Sequence, residues 1–151
     1  MPLQFVKSNK GSNQLVYDGY IYTRDRKYNG KELWKCVEFN EYKCLGRVHT
    51  FNDEIVKTVN EHNHVKRFEE IEARKAMNQV KEIAATTIET PQQIIATVSG
   101  IINIAAIPKL PEVPNVKRTI RRSRQRANNV PANPTSLQQI ILPDKYKITN
   151  K

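Results

Sequence analysis

Apolar and polar residues alternate with a period of two through the first third of the chain, and the period then lengthens to that of a helix. The alternating runs are Gln4–Val6, Gln14–Tyr17, Tyr20–Arg26, Leu33–Val37, Arg47–Phe51 and Ile55–Val59. Each is short and bounded by turn formers, which is the pattern of strands in an antiparallel sheet. The punctuation is Lys10-Gly11-Ser12-Asn13, Asp18-Gly19, Tyr28-Asn29-Gly30, Asn40-Glu41-Tyr42-Lys43 and Asn52-Asp53. Asp-Gly is a strong signal for a two-residue hairpin, because both central residues of that turn need positive φ.

Beyond residue 66 the spacing predicts helices. Ala73, Ala76, Met77, Val80, Ile83, Ala84 and Thr87 fall on one face, with Glu72, Arg74, Lys75, Lys81 and Glu82 elsewhere. Thr90-Pro91 is a start signal, an N-cap followed by proline at the first helical position. From Pro91 to about Ala106 an apolar stripe comprises Ile94, Ile95, Val98, Ile101, Ile102 and Ala105. Two such helices would pack as a hairpin, the stripe serving as core or, alternatively, as a dimer seam. Pro108, Pro111 and Pro114 then disfavour regular structure. A short helix is expected over residues 115–127, where Val116 and Ile120 would dock one side and leave a cationic remainder. Pro131, Pro134 and Pro143 punctuate the tail. The chain thus divides into a sheet segment (1–65), a helical hairpin (66–107) and a basic Pro-rich segment (108–151), an α+β arrangement.

Charge sharpens this division. The 151 residues carry a net +10, spread unevenly. Residues 1–64 hold ten Lys/Arg against eight Asp/Glu, residues 65–107 five against five, and residues 108–151 ten against two. Such a chain is attracted to polyanions, of which nucleic acid is the commonest. The run 117–126 fits a phosphate-binding helix, a nuclear-import address or a solvated linker. No membrane span is expected, since the most apolar run, residues 94–107, is about two-thirds of the required length.

The sheet segment is small for a self-sufficient core, and metal is a usual remedy at that size. Cys36, Cys44, His62 and His64 supply the donors of one tetrahedral zinc site. In extended chain His62 and His64 face the same side while Asn63 points away. Strands flanking Cys36 and Cys44 would bring the thiolates together across a hairpin. A disulfide and a pair of buried free thiols are the alternatives. Disulfides suit secreted chains, and Met1–Lys7 lacks the apolar core of a signal peptide, so a reducing compartment is expected. His49 alternates with Val48 and Thr50 and is expected to pack on the sheet rather than bind metal.

Base recognition would come from the Tyr20–Lys31 ribbon, since a two-stranded ribbon fits the major groove of B-DNA. Arg24, Arg26, Lys27 and Lys31 cluster there. A solvated hairpin that happens to carry cations is the alternative. Contacts from Arg118, Arg121, Arg122, Arg124 and Arg126 would grip phosphates without reading sequence.

Phe5, Leu15, Tyr20, Tyr22, Trp34, Cys36, Cys44 and His62-Asn63-His64 resemble the FLYWCH zinc finger over about residues 3–65. The order Asp18-Gly19-Tyr20, Trp34-Lys35-Cys36, Cys44, His62-Asn63-His64 is also similar to the plant WRKY domain, a related zinc-clamped sheet. The resemblance implies Zn2+ on the two cysteines and two histidines. It also implies DNA binding through the sheet, with the WRKY reading strand falling on Thr23, Arg24, Asp25, Arg26 and Lys27. Tyr22 stands where the WRKY motif has tryptophan, and the Gly-Gln-Lys that follows is absent, so no target sequence carries over. The order of finger, helices, Ile120-Arg121-Arg122 and Leu142-Pro143-Asp144-Lys145-Tyr146 is similar to the region before the catalytic domain of Mutator-like transposases. Metal-dependent strand transfer needs clustered carboxylates, and residues 108–151 hold only Glu112 and Asp144. The expectation is therefore a non-enzymatic, zinc-dependent, nuclear protein that binds double-stranded DNA selectively, as a regulator or transposase-derived protein. The rivals are the DNA-binding part of a transposase, and a module that pairs with itself or another protein through helix 91–106.

Overall fold

The computed structural model describes residues 3–128. Pro131, Pro134, Pro143 and the 142–146 segment lie outside the described residues. Six strands form one antiparallel meander in sequence order: β1 (Gln4–Lys7), β2 (Asn13–Tyr17), β3 (Tyr20–Tyr28), β4 (Lys31–Cys36), β5 (Arg47–Phe51) and β6 (Glu54–Val59). Three of the five connections are two-residue hairpins closed by Tyr17 opposite Tyr20, Tyr28 opposite Lys31 and Phe51 opposite Glu54. Their central residues all have positive φ: 50° and 78° at Asp18-Gly19, 47° and 75° at Asn29-Gly30, 47° and 60° at Asn52-Asp53. Those values match the strands' right-handed twist, which is why Asn, Asp and Gly occupy these positions. The polar stretch between the cysteines, expected as a turn, is a one-turn helix, α1 (Phe39–Tyr42).

The sheet has buried residues on both faces. On one lie Leu15, Tyr22, Trp34, Cys36 and Val48, with Cys44 packed against them. Trp34 donates its indole N–H to the buried Thr50 hydroxyl at 2.9 Å, so neither polar group is left unpaired. On the other, Val6 and Ile21 meet Ile71 of α2 (Phe68–Thr86). The amphipathic pattern of α2 thereby serves two cores: its first turns cover the sheet, and Ala76, Val80 and Ala84 face the remaining helices.

Those helices are α3 (Pro91–Ile101) and α4 (Val113–Ala127), joined by a 3-10 helix at Ile104–Lys109. Thr90 caps α3 as expected, its hydroxyl accepting from Gln93 N–H while the Gln93 side chain accepts from Thr90 N–H at 2.8 Å. The apolar helix expected to reach about Ala106 stops at Ile101. Asn103 begins a new turn there by accepting from Ala105 N–H, and Pro108 sits inside the tighter helix that follows. The third helix starts two residues before the expected 115, because Pro114 suits a first turn, where its missing N–H is no loss. Val116 and Ile120 of α4 pack among Ala76, Val80, Ala84, Ile94 and Val98, so the expected two-helix hairpin is part of a three-helix bundle. Burying Ile120 completely contributes about 2–3 kcal/mol to holding α4 in place. No helix among the described residues is long and apolar enough to cross a membrane.

Candidate metal centre

Local chain geometry aims the two cysteines at one point. Cys36 ends β4, and its N–H donates to the Gly46 carbonyl at 3.0 Å. After α1, Lys43 takes a left-handed conformation (φ 52°) and turns Cys44 back toward Cys36. Gly46 N–H points at the Cys44 sulfur at 3.4 Å. The histidines arrive on irregular chain after β6, past Asn60 with φ 60°. Two asparagines tie this segment to the cysteine loop: Asn60 donates to Leu45 O at 3.0 Å, and Asn63 to Tyr42 O at 2.7 Å. Asn63 therefore points away while its neighbours point in, as their i, i+2 spacing predicts.

The donor atoms converge. Cys36 Sγ lies 3.2 Å from His64 Nε2, Cys44 Sγ 3.2 Å from His62 Nδ1, and the two nitrogens 3.3 Å apart. All four lie within 4.8 Å of one another. Zinc bonds of about 2.3 Å to sulfur and about 2.0–2.1 Å to nitrogen in a tetrahedron place donors roughly 3.3–3.8 Å apart. The three short separations lie at or just below the lower end of that range. Both cysteines are free, so the disulfide alternative does not describe this fold. His49 lies outside the cluster.

The surroundings fix which nitrogen each ring presents. His62 Nε2 meets the Tyr22 hydroxyl at 2.8 Å, leaving Nδ1 for metal. His64 Nδ1 meets Val65 O at 3.1 Å, leaving Nε2. Metal-bound imidazoles are held by such outer partners, which set ring orientation and tautomer. Tyr20 stacks on His62 with centroids 3.6 Å apart and planes 5° from parallel. A Cβ at Gly46 would stand 2.5 Å from His62 Cε1, so only glycine lets the ring sit where it does. Without a cation burial favours the uncharged forms of Cys36 and His62. Burial pushes the Cys36 thiol up to about 12, Cys44 adding to the effect against the Glu38 N–H. Burial, then the neighbouring His64, holds His62 below its ordinary value. A divalent ion reverses that logic, displacing protons from the thiols. The sulfur and imidazole set is one that selects zinc.

The sequence-nominated cations divide. Asp25 forms a β-bulge, so that Arg24 pairs with Trp34 but Arg26 pairs with Leu33. Arg24 and Lys27 consequently share one face with Glu32, at 3.5 and 3.9 Å. Arg26 and Lys31 lie on the other. Cross-strand register places Lys35, Arg47 and Lys57 on that second face as well. Asp25 accepts from Arg47 at 2.8 Å and faces Lys35 at 3.7 Å, contacts that hold its carboxyl below the usual range. Lys35, Arg47 and Lys57 were not singled out from the sequence, although the alternation 31-33-35 and 47-49 carries the signal. On α4, Arg118, Arg121, Arg122 and Arg126 are exposed. Arg124 is half-buried and donates to the carbonyls of Ala84, Thr87 and Glu89, which closes the end of α2.

A six-stranded antiparallel sheet clamped by two cysteines and two histidines defines a β-sheet zinc finger. Residues 5–64 match the family model of the FLYWCH zinc finger domain. The chain is also similar to the mouse FLYWCH-type zinc finger-containing protein 1, at 31% identity over 88 residues. The match covers 58% of this chain and 13% of the length of that protein. The first segment therefore carries a metal site suited to Zn2+.

Proposed function

We propose that this protein binds double-stranded DNA through the zinc-held sheet, selectively for sequence, and acts in the nucleus as a regulator or transposase-derived protein. Cys36, Cys44, His62 and His64 hold the ion, whose role is structural: four protein donors fill the tetrahedron and leave no position for substrate. The observation that carries the reading is a sheet face that collects five cations, Arg26, Lys31, Lys35, Arg47 and Lys57, with the Asp25 carboxylate paired to Lys35 and Arg47. Arginine pairs with guanine edges, and a carboxylate accepts from cytosine amino groups, so a mixed face of this kind can discriminate. Arg24 and Lys27 reach the same ribbon from the opposite side and suit the flanking phosphates. Arg118, Arg121, Arg122 and Arg126 add grip that carries no sequence information.

Selection from a random duplex pool, followed by affinity measurements on the enriched and scrambled sequences at several salt concentrations, tests the proposal. A discrimination of about 1000-fold or more supports it. Equal affinity for both at every salt overturns selectivity. Arg26→Gln with Arg47→Gln should narrow the gap, whereas Lys27→Gln should weaken both duplexes alike.

Pairing with a protein through residues 91–106 is favoured by one observation, the exposure of Ile101 (69%) and Ile104 (81%). Ile94 and Val98, by contrast, are buried in the bundle. Sedimentation would show a dimer that Ile101→Asp with Ile104→Asp dissolves if that reading holds.

A further inference from the structure

The helical bundle has a hydrophobic core of its own, made by α2, α3 and α4 and separate from the core that surrounds the metal centre. Its last helix is unusual in charge. Val113–Ala127 contains Lys117, Arg118, Arg121, Arg122, Arg124 and Arg126 and not one acidic residue. Among the described residues none of the six takes part in an ion pair. Of the four acids of α2, Glu70 pairs with Arg67 and Arg74 and Glu72 with Lys75, while Glu69 and Glu82 form no ion pair among the described residues. A helix of 15 residues is about 22 Å long, so its like charges repel at short range without internal compensation. Only Arg124 has found partners, and those are backbone carbonyls.

Helical spacing sorts these cations. Pro114, Lys117, Arg121, Arg124 and Asn128 recur at three and four residues and line one wall of an open groove of about 680 Å³. The start of α3 at Pro91 forms the opposite wall. Arg118 also lines the groove, and Arg122 continues the charge beyond it. Val116 and Ile120, on the side away from solvent, bind α4 to α2 and hold the ridge rigid.

From the separate core, the unneutralised ridge and the groove beside it, we infer that the α2–α4 bundle is a second nucleic-acid-binding unit that grips the phosphodiester backbone of a duplex without needing zinc. The inference rests on the reading of the protein as a DNA binder, and deepens it. Phosphates supply the missing counter-charge, the exposed arginines donate to them bidentately, and the groove edge formed by Lys117 and Arg121 seats the backbone. The contact reads no bases. It holds the protein on DNA while the finger samples sequence, and its affinity falls with salt as bound counterions are released.

The test uses the full chain and a duplex of arbitrary sequence, with fluorescence anisotropy across a salt series, in the zinc-loaded and the chelated state. Circular dichroism monitors the helices throughout. The chelated chain is expected to keep its helical signal and to bind. Four phosphate contacts correspond to a slope of about −3.6 in log affinity against log salt, or about 150-fold weakening from about 50 to about 200 mM. The combined exposed-site variant Lys117→Gln, Arg118→Gln, Arg121→Gln, Arg122→Gln should lower the slope by about 3–4 in both states, by comparison with the parent chain. Arg26→Gln with Arg47→Gln should affect only the zinc-loaded state, which separates failure of the finger from failure of the bundle. Three results would overturn the inference: loss of helical signal on chelation, a chelated chain that no longer binds, or a quadruple variant with an unchanged slope. Tighter binding of poly-glutamate than of duplex, sensitive to the same four substitutions, would also overturn it by assigning the groove to an acidic protein.

Discussion

Gly46→Ala tests the metal centre at a residue that is not a ligand. An added Cβ would lie 2.5, 2.8 and 2.9 Å from Cε1, Nε2 and Nδ1 of His62, where ordinary contact begins near 3.4 Å. Relief requires a shift of about 0.5–0.9 Å, whereas zinc sites tolerate about 0.2 Å in ligand distance. The backbone cannot yield instead without cost. The Gly46 carbonyl holds Cys36 N–H, and its N–H holds Cys44 Sγ, so moving residue 46 drags a cysteine out of place. Either His62 or a thiol must leave its position. The loss should at least equal that of an outer-shell partner, and the upper end of that range, about 100-fold in zinc affinity, corresponds to about 3 kcal/mol. Structural zinc in such modules is bound by about 10–16 kcal/mol, so the variant still fills with metal when zinc is plentiful. Occupancy is therefore the wrong measurement. Competition against a chromophoric chelator reads the affinity directly. Gly100→Ala is the control, since nothing lies within 4 Å of its added Cβ. Zinc affinity in Gly46→Ala equal to that of the parent chain would refute the placement of His62 Nδ1 in the coordination sphere.

Other outcomes follow from the same contacts. Tyr22→Phe removes the partner of His62 Nε2 and should weaken zinc about 10–100-fold in the same competition assay while leaving strand signals intact. Arg124→Ala should lower bundle stability by about 2–3 kcal/mol in urea titration, because three carbonyls lose a charged donor. Arg118→Ala, on the exposed side, should change stability by less than about 0.5 kcal/mol yet reduce the salt slope by about 1. At Glu70 burial pushes the carboxyl up, but hydrogen bonds from Arg74 and Arg67 outweigh it and hold the group below 4.5. A depressed folded value means that its stabilisation is complete above the unfolded pKa and is lost as pH falls through the folded one. Glu70→Gln should thus flatten the acid side of the stability curve below about pH 5, as measured by melting temperature.

The parts legible in the sequence are those that local chemistry decides. Alternation and positive-φ turn residues marked all six strands, and Thr90-Pro91 marked the start of α3. The four metal donors were legible because thiol and imidazole are rare here and their pairing has a chemical meaning. What stayed hidden depends on residues far apart in the chain. Gly46 looks like any loop glycine until the His62 ring is laid against it, sixteen positions later. Tyr22 reads as a core aromatic, and only the fold brings its hydroxyl to a metal-binding imidazole. Arg124 looks like one more cation in a basic run, although its guanidinium closes the α2–α3 junction.

Asp25 shows the same limit most sharply. Strict alternation would leave Arg24 and Arg26 on one face, a compact basic cluster read straight from the sequence. The extra residue in β3 sends them to opposite faces and shifts the register beyond it, so adjacency in the chain is not adjacency on the surface. The cationic face that results draws Lys35, Arg47 and Lys57 from strands β4, β5 and β6, and the bulged Asp25 becomes its acidic centre. Deleting Asp25 would close the bulge and leave Arg26 opposite Leu33 on its present face, so that the cationic face loses only its carboxylate. Such a protein would keep its metal donors, all of which lie outside β3. If its DNA selectivity nonetheless survived unchanged, the Asp25 carboxylate could not be part of the reading surface.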